Sequence, residues 1–151
     1  MLLQIKKLIL ISALLFSFNG WTDDSMIPLS DYLEKNDEYM GDLNVGFYVM
    51  TRCSAINLNM IDLSGNNPEL VEKGQMASDY FTRNAIKIRQ SITPDDSNSE
   101  HLNNVIATVS GMANAYVEVM NINYPKTGMY FTDWMLEDLS LCSSFYDMDS
   151  K

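Results

Sequence analysis

The chain has 151 residues, with 10 Lys and Arg against 20 Asp and Glu, a formal net charge of −10, and 46% hydrophobic residues. That apolar share excludes an acidic disordered tail, and the length suits one domain. The acidic balance excludes sequence-independent nucleic-acid binding and polybasic docking on anionic lipid, since both need clustered Lys and Arg.

Residues 1–20 read as a secretory signal peptide. Lys6 and Lys7 form a positive start, and Leu8–Phe18 is an apolar run of 11 residues. A bilayer-spanning helix needs about 20. Ser17 and Gly20 are the small residues available for cleavage, and each has a bulky residue two positions earlier (Leu15 and Phe18). An uncleaved membrane anchor is therefore the alternative. No Cys ends the apolar run, which argues against a lipoprotein. The apolar stretch from Leu43 to Ile61 is interrupted by Asn44, Arg52, Asn57 and Asn59, so no later segment reads as a span. Loss of the leader removes two Lys and no acid, leaving 8 basic and 20 acidic residues and a net charge of −12. The absence of an Asn-x-Ser/Thr sequon fits a periplasmic or secreted bacterial protein.

Residues 21–151 are expected to form the helical domain, with 21–29 as an irregular lead-in. Ser30 is placed to cap a short helix from Asp31 to about Met40. Asp42 caps the next, from about Leu43 to Leu63. In this second helix Val45, Val49, Cys53, Ile56, Met60 and Leu63 recur at steps of three and four. Leu43, Phe47, Met50, Leu58 and Ile61 fill the rest of the circumference. Arg52 is the one charge between Asp42 and Asp62. A helix apolar nearly all round belongs at the centre of a bundle. Gly65 supplies its stop.

The third helix opens on Asn67, Pro68 and Glu69, which are suited to the cap, the first helical position and the positive end of the dipole. Leu70, Gly74, Ala77, Phe81, Ala85, Ile88 and Ile92 form its stripe. Glu69–Lys73 and Asp79–Arg83 are acid-first pairs four apart, and Thr93-Pro94 ends the helix. The fourth helix opens on Ser97-Asn98-Ser99-Glu100, a capping-box spacing. Its apolar face is Leu102, Val105, Ile106, Val109, Met112, Ala113, Tyr116 and Met120, and Tyr124-Pro125 is expected to end it. The fifth begins near Thr132 with Asp133 in its first turn. Met135, Leu139, Cys142 and Phe145 face inward, and residues 147–151 are expected to fray. The pattern predicts an all-α, single-domain bundle of four to five helices.

Cys53 and Cys142 both fall on inward stripes, so the sequence predicts a disulfide between the central and last helices. Arg52 beside Cys53 would favour a thiolate, but adjacent residues diverge by about 100° on a helix and no CxxC is present. His101, the single histidine, reads as a solvent-exposed polar residue. One His and two paired Cys leave a zinc site short of ligands, and no haem, phosphate-loop or nucleophile-elbow motif occurs. No catalytic residue, metal or cofactor is therefore assigned. Asp95–Glu100 offers oxygens but lacks the spacing and central Gly of a calcium loop. The methionines, among them Met50, Met60, Met112, Met120 and Met135, read as core filler rather than copper ligands.

Two surfaces invite partners. Arg83 and Lys87, one turn apart, form a candidate anion patch. On the back of the fourth helix Asn103, Asn104, Ala107, Thr108, Gly111, Asn114 and Ala115 form a charge-poor candidate interaction face for a protein partner, a second copy or a small ligand. The leading expectation is an exported, non-catalytic bundle that binds a protein partner or small ligand. The alternatives are a small secreted hydrolase using paired carboxylates, and a membrane-anchored assembly component that keeps its leader.

Overall fold

The computed structural model describes residues 26–36 and 41–149. The expected leader, the lead-in through residue 25, residues 37–40 and the last two residues lie outside the described residues. Five helices follow in order: α1 (Leu29–Lys35), α2 (Leu43–Leu63), α3 (Pro68–Ile92), α4 (Asn98–Thr127) and α5 (Asp133–Asp149). With no strand among the described residues, the chain is an all-α bundle.

α2 is the central helix and packs on α3, α4 and α5. Every residue from Thr51 to Asn57 is buried, including Arg52, Ser54 and Asn57. The α2–α3 contact is close because small residues line it. A Cβ at Gly74 would stand 2.7 Å from Ile61 Cγ1. One turn further on, the Ser54 hydroxyl meets Ser78 Oγ at 3.0 Å and Thr82 Oγ1 at 2.8 Å. Cys53 and Cys142 are joined, with Cα atoms 5.4 Å apart and a separation of 89 positions in sequence. The predicted bridge thus ties α5 to α2.

Several boundaries differ from the sequence reading, each for a local reason. α1 begins at Leu29 rather than Asp31, so Ser30 lies inside it, and its N-cap, Pro28, gives no side-chain bond. α5 supplies the missing cap instead: the Leu29 N–H donates to Asp138 Oδ1 at 2.7 Å. α4 runs through Pro125 to Thr127. A proline this close to a helix end deletes one backbone bond without breaking the remaining turn. Gly128, at φ 76°, makes the true stop, and its N–H bonds Tyr124 O at 2.8 Å. α5 is helical to Asp149. The predicted Asp42, Asn67 and Ser97 caps are all present, the last as a full capping box with Glu100. Glu69 and Lys73 pair at 2.7 Å, whereas Asp79 and Arg83 form no ion pair among the described residues.

The core stripe of α4 is rotated from the predicted one. It runs His101, Val105, Val109, Met112, Tyr116, Met120. Leu102 and Ile106, each one residue on, turn by about 100° and emerge 43% and 51% exposed. His101 is therefore buried at 2% exposure, not solvated, because it stands one turn before Val105 on the packed line.

Candidate functional site

Two features stand out in the bundle: a closed polar cluster and an open apolar groove. The polar cluster centres on Arg52 of α2 and Asp138 of α5, both with fully buried side chains. Asp138 Oδ2 accepts from Arg52 Nε at 3.0 Å, from Arg52 Nη2, and from the Tyr116 hydroxyl at 2.7 Å. The Tyr116 hydroxyl in turn accepts from Arg52 Nε at 2.9 Å, and Arg52 Nη1 donates to the Tyr48 hydroxyl at 2.8 Å. The rings of Tyr48, Tyr116 and Trp134 surround the guanidinium at 5.7–5.8 Å from its central carbon.

Burial opposes the charge on Arg52, but Tyr116, Asp138 and Tyr48 outweigh it and hold its pKa above the ordinary value. Burial pushes the Tyr116 hydroxyl well up and Asp138 adds to this, while Arg52 pulls the other way. The partners of Arg52 thus hold its cation in place. Asp138 has both oxygens committed and faces a cation rather than a second acid. Neither oxygen is left free to take a proton from a substrate.

The groove lies between α2, α3 and α5 and encloses about 530 Å³. Its floor includes Gly74, Ala77 and Phe81 of α3 and Asn57 of α2. Leu139, Ser143 and Tyr146 of α5 form one wall, while Met60, Leu70 and Met76 close the other sides. Lys73 and Asp147 stand at its polar margins. Asn57 does not bring a free amide into it, since its Nδ2 donates to Cys53 O at 2.8 Å. A second hollow of about 400 Å³ shares Met60 and Leu70 and adds Leu63, Met129, Tyr130, Phe131 and Leu136. The apolar surface therefore continues to the end of the bundle where α2 stops and α5 starts.

The groove exists because α5 is held at a set distance. Cys142 bonds α2 one residue before Ser143, and Asp138 bonds Arg52 one residue before Leu139. Leu139 and Ser143 are the next positions round the helix from the two anchors, and Tyr146 stands one turn beyond Cys142.

The sequence-predicted residues are placed as follows. Cys53 and Cys142 are fully buried and bonded. Arg83 and Lys87 are both exposed on α3, away from either hollow. Of the α4 face, Asn103, Asn104, Ala107 and Asn114 are exposed, Thr108 and Gly111 are half-buried, and Ala115 turns into the core. Ala115 departs from the predicted face because each step of four residues advances about 40° round a helix. The Thr108 hydroxyl donates back to Asn104 O at 2.8 Å. A Cβ at Gly111 would meet nothing within 4 Å.

Asp138 was not among the candidates from sequence. The signal for it was present: Asp138 falls between Met135 and Cys142 on one helical stripe, opposite a helix whose one charge between Asp42 and Asp62 is Arg52. Among the described residues no cluster of three or more His, Cys, Asp or Glu is placed to hold a metal ion. No described helix is long and apolar enough to cross a membrane. Compared with known proteins, the chain matches no family model, no curated protein and no solved structure.

Proposed function

We propose that the chain is an exported, non-catalytic binding protein whose α2–α3–α5 groove takes a small apolar ligand. The observation that carries this reading is the groove itself: about 530 Å³, lined mainly by Leu, Met, Ala, Phe and Tyr side chains. That volume lies within the usual range of small-molecule sites, roughly 300–1,000 Å³. Met60 and Met76 give two of its sides an adaptable surface, which suits a ligand recognised by shape and apolarity rather than by a hydrogen-bond code. Export is supported by the N-terminal signal-peptide pattern and by the Cys53–Cys142 bridge, which suits an oxidising compartment.

The test uses the neutral fluorophore N-phenyl-1-naphthylamine. Titrated into the protein, it should brighten and saturate as one site fills. Ala77→Trp, which fills the groove from α3, should abolish the enhancement while helical circular dichroism is kept. Unchanged binding in a folded Ala77→Trp variant would remove the groove as the site. Intact mass measurement of the exported product tests export separately, with loss of about 20 N-terminal residues expected from the leader pattern.

A further inference from the structure

The groove and the hollow at the end of the bundle lie end to end, because their linings follow one order on all three helices. On α2 the groove takes Asn57 and Met60, and the hollow takes Met60, Leu63 and Ser64. On α3 the groove runs from Phe81 through Ala77 and Gly74 to Leu70, where the hollow begins. On α5 it runs from Asp147 and Tyr146 through Ser143 to Leu139, and the hollow takes Leu136, one turn on. Phe81 to Leu70 and Asp147 to Leu136 each cover 11 positions, about 16 Å at 1.5 Å per residue.

We infer that the two hollows form one track for a single unbranched alkyl chain with an uncharged head. The tail lies at Phe81 and the head emerges beside Tyr130. This rests on the binding role proposed for the groove and adds the class of ligand. Length is the first argument. An extended chain advances about 1.2 Å per bond, so the track takes roughly 13 bonds, a dodecyl chain with its head atom. Half of a bilayer's hydrocarbon core is about 15 Å deep, so the acyl chains of lipids have a matching length.

Width is the second argument. A helical partner needs about 8–10 Å between its axis and that of each wall helix. Tyr146 of α5 meets Tyr80 of α3 edge-on, with ring centroids 5.2 Å apart, so the two walls already touch at the Phe81 end. That leaves a lane for a chain but none for a helix.

Charge decides the head. No charged residue lines the outer hollow. Lys73, the one cation in the groove lining, is already paired with Glu69 at 2.7 Å. A carboxylate head would therefore find no open counter-charge along the track. At the mouth Met129, Tyr130 and Leu136 are 57%, 42% and 50% exposed, so a head placed there stays in water.

The test uses the full chain, expressed with its leader and recovered as the cell processes it, with N-phenyl-1-naphthylamine as reporter. Octanol, decanol, dodecanol and tetradecanol, each below its solubility limit, should displace the reporter. Affinity should rise about fourfold per methylene, the gain for burying a CH₂ group, and level off after dodecanol. Leu136→Glu and Met129→Glu place a charge in the outer hollow at exposed positions. Each should weaken dodecanol about tenfold or more, because the carboxylate must lose water beside the chain. Octanol should change less than about twofold, since its chain spans only about 10 Å from the Phe81 end. Dodecanoate should bind no tighter than dodecanol. Failure of the reporter to bind removes the groove as a site, and the track with it. With the reporter bound, affinity that stops rising at octanol, or climbs undiminished to tetradecanol, overturns the track alone. So does an unchanged ratio of dodecanol to octanol affinity in both glutamate variants. Tighter binding of dodecanoate overturns the uncharged head.

Discussion

Asp138→Asn changes almost no volume yet removes the counter-charge of Arg52. In the native protein Asp138 Oδ2 takes bonds from Arg52 Nε, Arg52 Nη2 and Tyr116, while Oδ1 takes the Leu29 N–H. With neither Arg52 nor Asp138 exposed, water cannot replace what is lost. Removing one partner of a buried pair costs about 3–5 kcal/mol, because the remaining charge stays desolvated. Equilibrium urea unfolding should show that loss as a lower midpoint at unchanged slope.

The double variant Arg52→Met with Asp138→Leu removes both charges together. It should recover most of the loss, since replacing a buried pair with apolar residues of similar size is often close to neutral. Hydrogen exchange adds a local readout: the first-turn amides of α1 should exchange faster in Asp138→Asn, because its cap comes from α5. A single-variant loss below about 1 kcal/mol would refute the reasoning. So would a double variant as damaged as the sum of the singles.

The other predictions concern the remaining cross-links, caps and close contacts. Removing the disulfide through Cys53→Ala with Cys142→Ala should cost roughly 4–5 kcal/mol in the chain-entropy model, measured by chemical denaturation. Thiol reagents should reduce the native bridge only at the rate of unfolding, since neither sulfur is exposed. Gly74→Ala should destabilise by about 1–3 kcal/mol despite alanine's helical preference, because the new Cβ meets Ile61 Cγ1. Gly111→Ala should stabilise by up to about 1 kcal/mol, because its Cβ meets open space. The Ser97 hydroxyl and backbone N–H hold the Glu100 carboxyl below the usual glutamate range. Its support of α4 is therefore full above the unfolded-state pKa and is lost as pH falls through the lower folded value. Amide exchange in the first turn of α4 should rise across that acidic window in the native chain and stay flat in Glu100→Gln.

Much of this bundle was legible in the sequence, because caps and periodicity act locally. Asp42, Asn67 and Ser97 announce three helix starts through side chains that reach only two or three residues. Cys53 and Cys142 could be paired because both fell on inward stripes. The errors arose where a long-range contact decided the outcome. Ser30 is a good cap by its own chemistry, yet α1 starts earlier because Asp138, 109 residues away, bonds the Leu29 N–H. His101 lies on the packed line of α4 and Leu102 does not, which reverses what side-chain polarity alone suggests. The groove was not legible at all, since it is the space left when α5 is set against α2 and α3.

The position of α5 explains why two costly devices converge on one helix. An apolar groove open to water lacks the burial that drives its walls together, so a helix free to shift would close it. α5 is fixed to α2 by the Cys53–Cys142 bond and by the Arg52–Asp138 pair, neither of which needs apolar surface along the groove side of the helix. The buried ion pair adds little net stability over an apolar replacement of similar shape, but it admits one geometry with its three hydrogen-bonding partners, the Leu29 N–H and the Tyr48 and Tyr116 hydroxyls. Restricting α5 in this way keeps Leu139 and Ser143 at the groove wall, while Tyr146 packs edge-to-face on Tyr80 of α3, ring centroids 5.2 Å apart. The Arg52→Met and Asp138→Leu double variant should remain stable while α5 gains freedom to settle inward. Its affinity for N-phenyl-1-naphthylamine should therefore fall even where its unfolding free energy does not.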